Sequence, residues 1–313
     1  MSVASFHLPV LTERVLELLL PTAPGLLVDA TVGLGGHAAA LLEAAPGFRL
    51  LGLDRDPQAL ARAGERLREF ADRVQLVEAT FDRLSELLDD LALEPPAAVL
   101  ADLGCSSLQL DTPQRGFSFA ADGPLDMRMG GDGPTAAELL ENIEWEDLVS
   151  ILRDYGEERR ARALARAIIR RREKAPLRTT GALSRLVLEV VGSGRGGRIH
   201  PATRTFQALR IAVNDELGQL ERFVEPTARS LRPGGRMAVI SFHSLEDRIV
   251  KHTLRRLAGR CTCPPDFPVC RCRPEHLLKV LTSSPIRPDE AEVALNPRAR
   301  SARLRVAERL KED

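Results

Sequence analysis

The stretch at residues 26–37, LLVDATVGLGGH, constrains the fold more than any other part of this sequence. Three apolar residues lead to Asp29, and Gly33, Gly35 and Gly36 follow just before His37. This pattern is typical of a buried strand, a tight glycine turn and the start of a helix. Such a turn lets backbone N–H groups approach a nucleotide-like ligand. The stretch therefore predicts a nucleotide-type site at this turn.

The same strand-then-helix rhythm continues to about residue 104. Predicted strands cover residues 49–54, 74–79 and 97–104, and helical patterns separate them. After a long interruption, further strands are predicted at 234–242, 277–282 and 299–310, the last two as a hairpin at the sheet edge. Repeated alternation predicts an α/β fold with a parallel sheet and right-handed crossovers. The apolar strands indicate a sheet that is covered on both faces.

The interruption, residues 109–203, carries helical patterns and no strand pattern after a Gly-, Pro- and Asp-rich start. We interpret it as an all-helical inserted domain for substrate recognition, between two parts of the sheet domain at 1–108 and 204–313. One long helix is predicted from residue 205 to Pro226 or slightly beyond. The N-terminal segment is predicted to form an amphipathic helix capped by Thr12.

The charge balance and the cysteine usage limit the function classes. Lys and Arg total 44, and Asp and Glu also total 44. This balance disfavours a protein that coats nucleic acid through an overall positive charge, but it is compatible with a local basic face. No stretch approaches ~18 uninterrupted apolar residues, and the N-terminus lacks the pattern of a signal peptide. Four of the five cysteines crowd near the C-terminus, which does not fit a secreted disulfide framework. We therefore expect a cytoplasmic protein without a membrane span.

Polar residues recur at the predicted carboxyl ends of the strands, where open parallel sheets bind ligands. A carboxylate such as Asp54, about twenty residues past the turn, commonly accepts hydrogen bonds from ribose hydroxyls. Phe81 is placed to flank an adenine. The full set of strand-end residues also includes Asp29, Thr31, Asp82, Asp102, Cys105, Ser106, Ser107, Gln109, Ser241 and His243.

The spacing of the turn selects among nucleotide-type ligands. A dinucleotide fingerprint requires G-x-G-x-x-G, and a P-loop requires a lysine followed by Ser or Thr; neither is present. Asp29 precedes the turn, and an acid there suits a ligand that carries an amino group better than a diphosphate. The sequence therefore favours S-adenosylmethionine as the cofactor.

Nine motifs resemble one family over residues 7 to about 303. They are HLPVLTERVLELL, DATVGLGGH, GLDRDPQAL, ADLGCSSLQLD, RGFSF, PLDMRM, RTFQALRIAVNDEL, GGRMAVISFHSLEDR and VKH. Together they resemble the RsmH (MraW) family of bacterial small-subunit ribosomal RNA (cytosine-N4)-methyltransferases. The resemblance implies a class I, Rossmann-like methyltransferase sheet with a helical inserted domain. It also implies methylation of a cytosine in the decoding region of 16S rRNA.

The resemblance implies cofactor contacts at Gly35, Gly36, His37, Asp54, Phe81, Asp102 and Gln109; the loop pattern adds Asp29 and Gly33. A cytosine amine is a weak nucleophile, so we expect catalysis mainly by orientation and proximity. Asp102 is the expected acceptor for that amine, and His243 is a second candidate, as proton acceptor or RNA contact. Cys105 is not expected to act as a nucleophile, because amine methylation requires no covalent adduct.

The RNA must present an unstacked base, and its phosphates favour arginine contacts. Phe117, Phe119 and Phe242 are candidate stacking residues, and each is equally compatible with a core position. The expected phosphate contacts are Arg170, Arg171, Arg172, Arg198 and Arg204, within a larger set that includes Arg159, Arg160, Arg162, Arg166 and Arg195. A solvated helix face is the simpler alternative for such a run.

The cysteine segment supplies four thiols, at Cys261, Cys263, Cys270 and Cys272. Four thiolates suffice for a structural zinc ion, but two C-x-C pairs are less usual than C-x-x-C. No metal is therefore assigned. Two alternative functions remain open from the sequence: a methyltransferase of the same fold acting on another RNA or protein amine, and a non-catalytic RNA-binding factor in ribosome assembly.

Overall fold

The computed structural model describes residues 9–20, 23–192, 200–261 and 275–311. Among these residues, seven strands form one sheet in the order β3-β2-β1-β4-β5-β7-β6. Strands β1 to β5 pair in parallel, whereas β7 is antiparallel to both of its neighbours. The strands are β1 (Leu26–Asp29), β2 (Arg49–Asp54), β3 (Val74–Glu78), β4 (Ala98–Asp102), β5 (Arg236–Ser241), β6 (Leu278–Val280) and β7 (Arg303–Arg309). The predicted α/β class is confirmed.

Helices connect the strands and fill the interruption of the sheet pattern. They are α1 (Thr12–Leu19), α2 (Gly36–Ala44), α3 (Pro57–Arg66), α4 (Leu84–Asp90), α5 (Ser107–Asp111), α6 (Ala136–Asn142), α7 (Trp145–Ser150), α8 (Ala161–Lys174), α9 (Thr180–Val191), α10 (Ala202–Asn214), α11 (Glu216–Ser230), α12 (Ser244–Leu257) and α13 (Glu290–Leu295). A π-helical turn, Ile151–Tyr155, follows α7 directly.

The chain divides into two compact units, residues 1–104 with 217–313, and residues 105–216. The predicted inserted segment, 109–203, lies within the second unit. That unit has a core of its own, to which Leu152, Leu164, Ile168 and Leu183 contribute fully buried side chains. Helices α5 to α10 all belong to it.

The sheet of the first unit separates two apolar clusters. Along β1, Leu26 and Val28 belong to one cluster and Leu27 to the other, because successive side chains of a strand point to opposite faces. All three side chains are at most 3% exposed. Both faces of the sheet are therefore covered, as the continuous apolar runs predict.

The strand order places one crevice at a defined position. From β1 the order runs outward through β2 and β3 on one side and through β4 and β5 on the other. The order therefore reverses between β1 and β4, which is where open α/β sheets bind ligands beyond the carboxyl ends of their strands. Asp29 ends β1 and Asp102 ends β4 at this point.

Two sequence-based predictions about helices are wrong. Thr12 does not cap α1: Leu11 precedes the helix in a left-handed conformation, and the Thr12 hydroxyl donates to the Pro9 carbonyl. The long helix predicted from residue 205 is two helices, α10 and α11, because Asp215 between them has φ 50°. A residue in that left-handed region ends an α-helix.

None of the helices within the described parts of the chain is both long enough and apolar enough to cross a membrane.

Candidate active site

The loop between β1 and α2 brings backbone donors to the carboxyl end of the sheet. Gly33 and Gly35 have φ of 52° and 74°, a region that side chains with a Cβ rarely adopt. A Cβ on Gly35 would also lie 3.4 Å from the Cα of Ala63 in α3. Among the described residues, no side chain caps the N-terminus of α2. The first N–H groups of this helix are thus available to a ligand.

Thr31 joins the ends of β1 and β4. Its hydroxyl oxygen accepts a hydrogen bond from the Asp102 backbone N–H at 2.6 Å. Its own backbone N–H donates to Oδ1 of Asp29 at 3.3 Å. The two predicted acids are therefore fixed to one residue of the loop. The sequence singled out Thr31 as a strand-end residue but gave it no such bridging role.

His37 and Asp102 form a polar pair with unsatisfied atoms. The His37 side chain is 6% exposed, and its Nε2 lies 3.6 Å from Oδ2 of Asp102. Neither ring nitrogen of His37 has a hydrogen-bond partner among the described residues, and neither does Oδ1 of Asp102. Buried polar atoms are rarely left in this state, because each one costs free energy. These atoms are therefore candidates for contact with the polar groups of a ligand.

Asp54 closes the loop from the side of β2. Its Oδ2 accepts from the Gly33 N–H and its Oδ1 from the Asp56 N–H, both at 2.9 Å. Asp56 in turn caps α3 by accepting from the Gln58 N–H, with Pro57 in the first turn. Asp56, and not Asp54, therefore caps α3, and both carboxylate oxygens of Asp54 accept from backbone N–H groups.

Burial changes the ionisation of two acids in this group. Loss of hydration raises the pKa of Asp29 to about 7, although His37 and the Thr31 N–H act in the opposite direction. Loss of hydration likewise raises the pKa of Asp54 to about 6, against the backbone N–H groups that it accepts from. A cationic ligand beside these carboxylates would favour their charged forms.

Phe81 lies beyond the end of β3, and part of its side chain packs against the apolar core. Its ring meets Phe223 edge to face, with the centroids 5.1 Å apart. It is half-buried against the apolar cluster on one face of the sheet. One part of the ring remains accessible beside the strand end.

Gln109 belongs to the second unit, unlike the other predicted cofactor contacts. It is buried there, and its amide accepts from the Ser106 N–H and donates to the Met129 carbonyl. Ser106 is the N-cap of α5, and Gln109 completes its capping box. The structure thus gives Gln109 a clear local role in holding this segment.

A network around Met127 and Met129 was not anticipated from the sequence. The buried Asn214 accepts from the Met129 N–H and donates to the Met127 carbonyl, both at 2.8 Å. Arg115 donates to the Met129 carbonyl at 2.9 Å. The motifs PLDMRM and NDEL contain these partners, but pairing them requires the fold, since 85 residues separate Met129 from Asn214.

His243 caps α12. Its Nδ1 accepts from the Glu246 N–H, and the Glu246 carboxylate accepts from the backbone N–H groups of Phe242 and His243. The Nε2 atom lies 3.1 Å from Oε1 of Glu246. The capping box accounts for the position of Nδ1, whereas Nε2 is buried and has no hydrogen-bond partner among the described residues.

The predicted arginines differ in their surroundings. Arg170 and Arg171 are exposed on α8, and the exposed Arg204 donates to the Glu157 carbonyl. Arg172 is half-buried, and its Nη1 donates to the carbonyls of Leu140 and Ile143 at the end of α6. Arg198 lies outside the described residues.

The candidate stacking residues are mostly packed within the protein. Phe117 is buried, Phe119 stacks against His200 and Phe206 in the second unit, and Phe242 packs beside the second apolar cluster of the sheet. Of the cysteine segment, Cys261 is exposed, and Cys263, Cys270 and Cys272 lie outside the described residues.

Comparisons with known proteins agree over nearly the whole chain. The sequence model of the MraW methylase family matches residues 4–310. A protein of Symbiobacterium thermophilum named "Ribosomal RNA small subunit methyltransferase H" is 50% identical over 310 residues, covering 98% of each chain. Proteins with the same name from Geotalea uraniireducens and Geotalea daltonii are 50% and 51% identical, each covering 97% of this chain and 98% of their own.

Proposed function

Because the chain belongs to the MraW methylase family, we propose that it methylates the exocyclic N4 amine of a cytosine in the decoding region of 16S ribosomal RNA. The observation that carries this proposal is the group of acids at the switch point of the sheet, with buried polar atoms left unsatisfied. The names of its relatives supply the small-subunit ribosomal RNA as the substrate.

The proposed cofactor is S-adenosylmethionine, and the acids of this site suit its charge. When bound, this cofactor supplies a methyl group activated by a sulfonium cation. Asp29 and Asp102 would face its cationic end, and the uncapped N-terminus of α2 would receive its carboxylate. Asp54 would hold the ribose hydroxyls, and Phe81 would flank the adenine. The proposed contacts are Asp29, Gly33, Gly35, Gly36, His37, Asp54, Phe81, Asp102 and Gln109.

The catalytic work of the chain is to orient an amine and to take up a proton. The cytosine amine has its lone pair delocalised into the ring, so positioning is the main source of rate enhancement. Oδ1 of Asp102 has no partner among the described residues and is the proposed acceptor for an amine hydrogen. Holding that hydrogen directs the nitrogen and favours loss of the proton as the new C–N bond forms. His243 is the second candidate: the capping box uses its Nδ1, whereas its buried Nε2 has no hydrogen-bond partner among the described residues.

The RNA would approach through an unstacked base and through phosphate contacts. Arg170, Arg171 and Arg204 remain proposed phosphate contacts, as does Arg198 from the sequence alone. Arg172 is better assigned to supporting α6, because its guanidinium donates to two backbone carbonyls there. A cytoplasmic location follows from a ribosomal substrate.

A test of this function measures transfer of labelled methyl groups to purified bacterial small-subunit RNA, with large-subunit RNA as the matched control. The proposal expects label in the small-subunit RNA alone. Label in both RNAs or in a ribosomal protein would support a same-fold enzyme with another amine substrate. Absence of both methyl transfer and cofactor binding would favour a non-catalytic assembly factor.

A further inference from the structure

We propose that four cations along the exposed side of α8, Arg162, Arg166, Arg170 and Lys174, form a phosphate-binding row for the RNA backbone. This inference rests on the proposed RNA substrate, and it identifies a surface of the protein that binds the RNA backbone. The sequence already offers Arg162, Arg166 and Arg170 among the arginines for phosphate contact, and the structure adds Lys174 and the alignment of the four.

The row has a regular geometry. Its members are four residues apart, and all four are exposed. Side chains at this spacing lie on one side of a helix, about 5–6 Å apart at their Cβ atoms. This spacing is comparable to that of successive phosphates along a nucleic-acid strand. The opposite side of α8 is buried in the core of the second unit through Ala161, Leu164, Ala165 and Ile168.

The row carries uncompensated charge. No acid pairs with any of its four members among the residues that the structure describes. Glu173, the only acid in α8, is three residues from Arg170 and forms no ion pair with it in this part of the chain. Like charges four residues apart destabilise a helix. Arg162 also lies in the first turn, where the helix dipole disfavours a cation.

Several exposed arginines on other elements pair with a nearby acid, as in Arg14–Glu17, Arg62–Glu65, Arg83–Glu86, Arg153–Asp154 and Arg229–Glu225. Other exposed arginines, such as Arg185 and Arg255, form no ion pair among the described residues, but neither belongs to a series of four cations spaced four residues apart. The chain as a whole has no net charge. The four successive unpaired cations along α8 therefore indicate a surface whose counter-charges come from a polyanion. A row of cations without an exposed aromatic contacts phosphates rather than bases.

Arg171 and Arg172 differ from the row although they are its neighbours. Arg171 donates to the Ala175 carbonyl and Arg172 to carbonyls of Leu140 and Ile143. Both lie in the last turn, where the helix dipole favours cations. The charges of Arg171 and Arg172 thus have a structural explanation. Arg162 and Arg166, in the first half of the row, have no such explanation among the described residues.

The test replaces the four cations of the row together, as Arg162→Gln, Arg166→Gln, Arg170→Gln and Lys174→Gln in the full-length chain. Glutamine retains helix propensity and removes the like-charge repulsion, so the variant should melt no lower than the wild type. The matched control is Arg14→Gln, Arg62→Gln, Arg83→Gln and Arg153→Gln. It removes the same charge from exposed positions that are already paired.

The measurement is the affinity for a 16S rRNA fragment at several salt concentrations. Each lost phosphate contact lowers the slope of log affinity against log salt by about 0.7 on single strands. We expect the slope of the row variant to fall by about 2 to 3, with at least a tenfold loss of affinity near 0.1 M salt. The control should retain most of the wild-type slope. Cofactor affinity should be unchanged in both variants.

Equal affinities and slopes for wild type and row variant would overturn the proposal, as would an equal loss in the control. Unchanged RNA affinity with weaker binding to intact subunits would also overturn it, and would assign the row to a ribosomal protein. The wild-type measurement separates this proposal from the proposed function. If the wild type methylates the RNA and only the row prediction fails, the function stands.

Discussion

Asp102 combines a fixed backbone with an unsatisfied carboxylate oxygen. Thr31 holds its N–H, His37 lies 3.6 Å from Oδ2, and Oδ1 has no partner among the described residues. The side chain is about one quarter exposed, at 25%. A carboxylate that is anchored through its backbone and keeps one buried oxygen without a partner is suited to orient a substrate hydrogen.

Asp102→Asn should therefore slow methyl transfer by about 10²–10⁴-fold in a single turnover, the range for loss of a positioned proton acceptor. The amide keeps the shape of the side chain and the backbone bond to Thr31, so cofactor affinity should fall much less. Asp90→Asn, at an exposed position in α4, is the control and should match the wild type. A wild-type rate in Asp102→Asn would remove this residue from the catalytic account.

Asp29 is a buried acid at the end of β1. Its pKa is raised to about 7 by burial, from 3.8 for an ordinary aspartate. The native protein thus keeps a proton that the unfolded chain has lost between these values. The stabilising contribution of this acid is present below about pH 4 and is lost as the pH rises through about 7.

A cation beside Asp29 would lower this pKa, so binding of S-adenosylmethionine near pH 6.5 should release protons. Titration calorimetry in two buffers with different ionisation enthalpies measures this release, and affinity should rise with pH towards about 7. Asp29→Asn should reduce the release, while Asp90→Asn should not. Identical heats in both buffers for the wild type would contradict the placement of Asp29 at the cationic end.

At the scale of elements, α8 supports α6 through Arg172. The carbonyls of Leu140 and Ile143 lie at the C-terminal end of α6, where backbone acceptors lack partners within the helix. One guanidinium nitrogen satisfies both of them. Sequence reasoning assigned this arginine to RNA because the contact joins residues about thirty positions apart, which no local pattern reveals.

Arg172→Met should keep the packing of the aliphatic part of the side chain, but it leaves the Leu140 and Ile143 carbonyls without their charged donor. We expect a loss of about 1–3 kcal/mol and a thermal midpoint several degrees lower. Arg170→Met is the matched control on the same helix and should melt like the wild type. Equal melting of all three proteins would show that the two bonds contribute little.

The elements that could be predicted from the sequence are those that local pattern determines. Strands β1, β2, β4 and β5 are apolar on both faces, and turn residues or helical patterns bound them, so their positions follow from the residues alone. The break between α10 and α11 was not predicted, although Asp215 is a weak helix former and belongs to a residue type that tolerates the left-handed region. Its left-handed conformation depends on the surroundings that the fold provides.

At the scale of the whole molecule, sequence and structure contribute different parts of the site. The acids at the strand ends and the glycines of the loop could be predicted, because a parallel sheet brings its carboxyl ends together. The bridge through Thr31, the network around Asn214 and the capping role of His243 could not, since each depends on contacts made in three dimensions. The substrate itself rests on the family.

The most direct test of the central claim is the chemical identity and position of the transferred methyl group. The protein would be incubated with small-subunit RNA and labelled S-adenosylmethionine, and the RNA digested for nucleoside and fragment mass spectrometry. We expect N4-methylcytidine at one position in the decoding region, formed about 10²–10⁴-fold more slowly when Asp102→Asn replaces the wild type. A methyl group on a ring carbon, on another base or on a protein would contradict it.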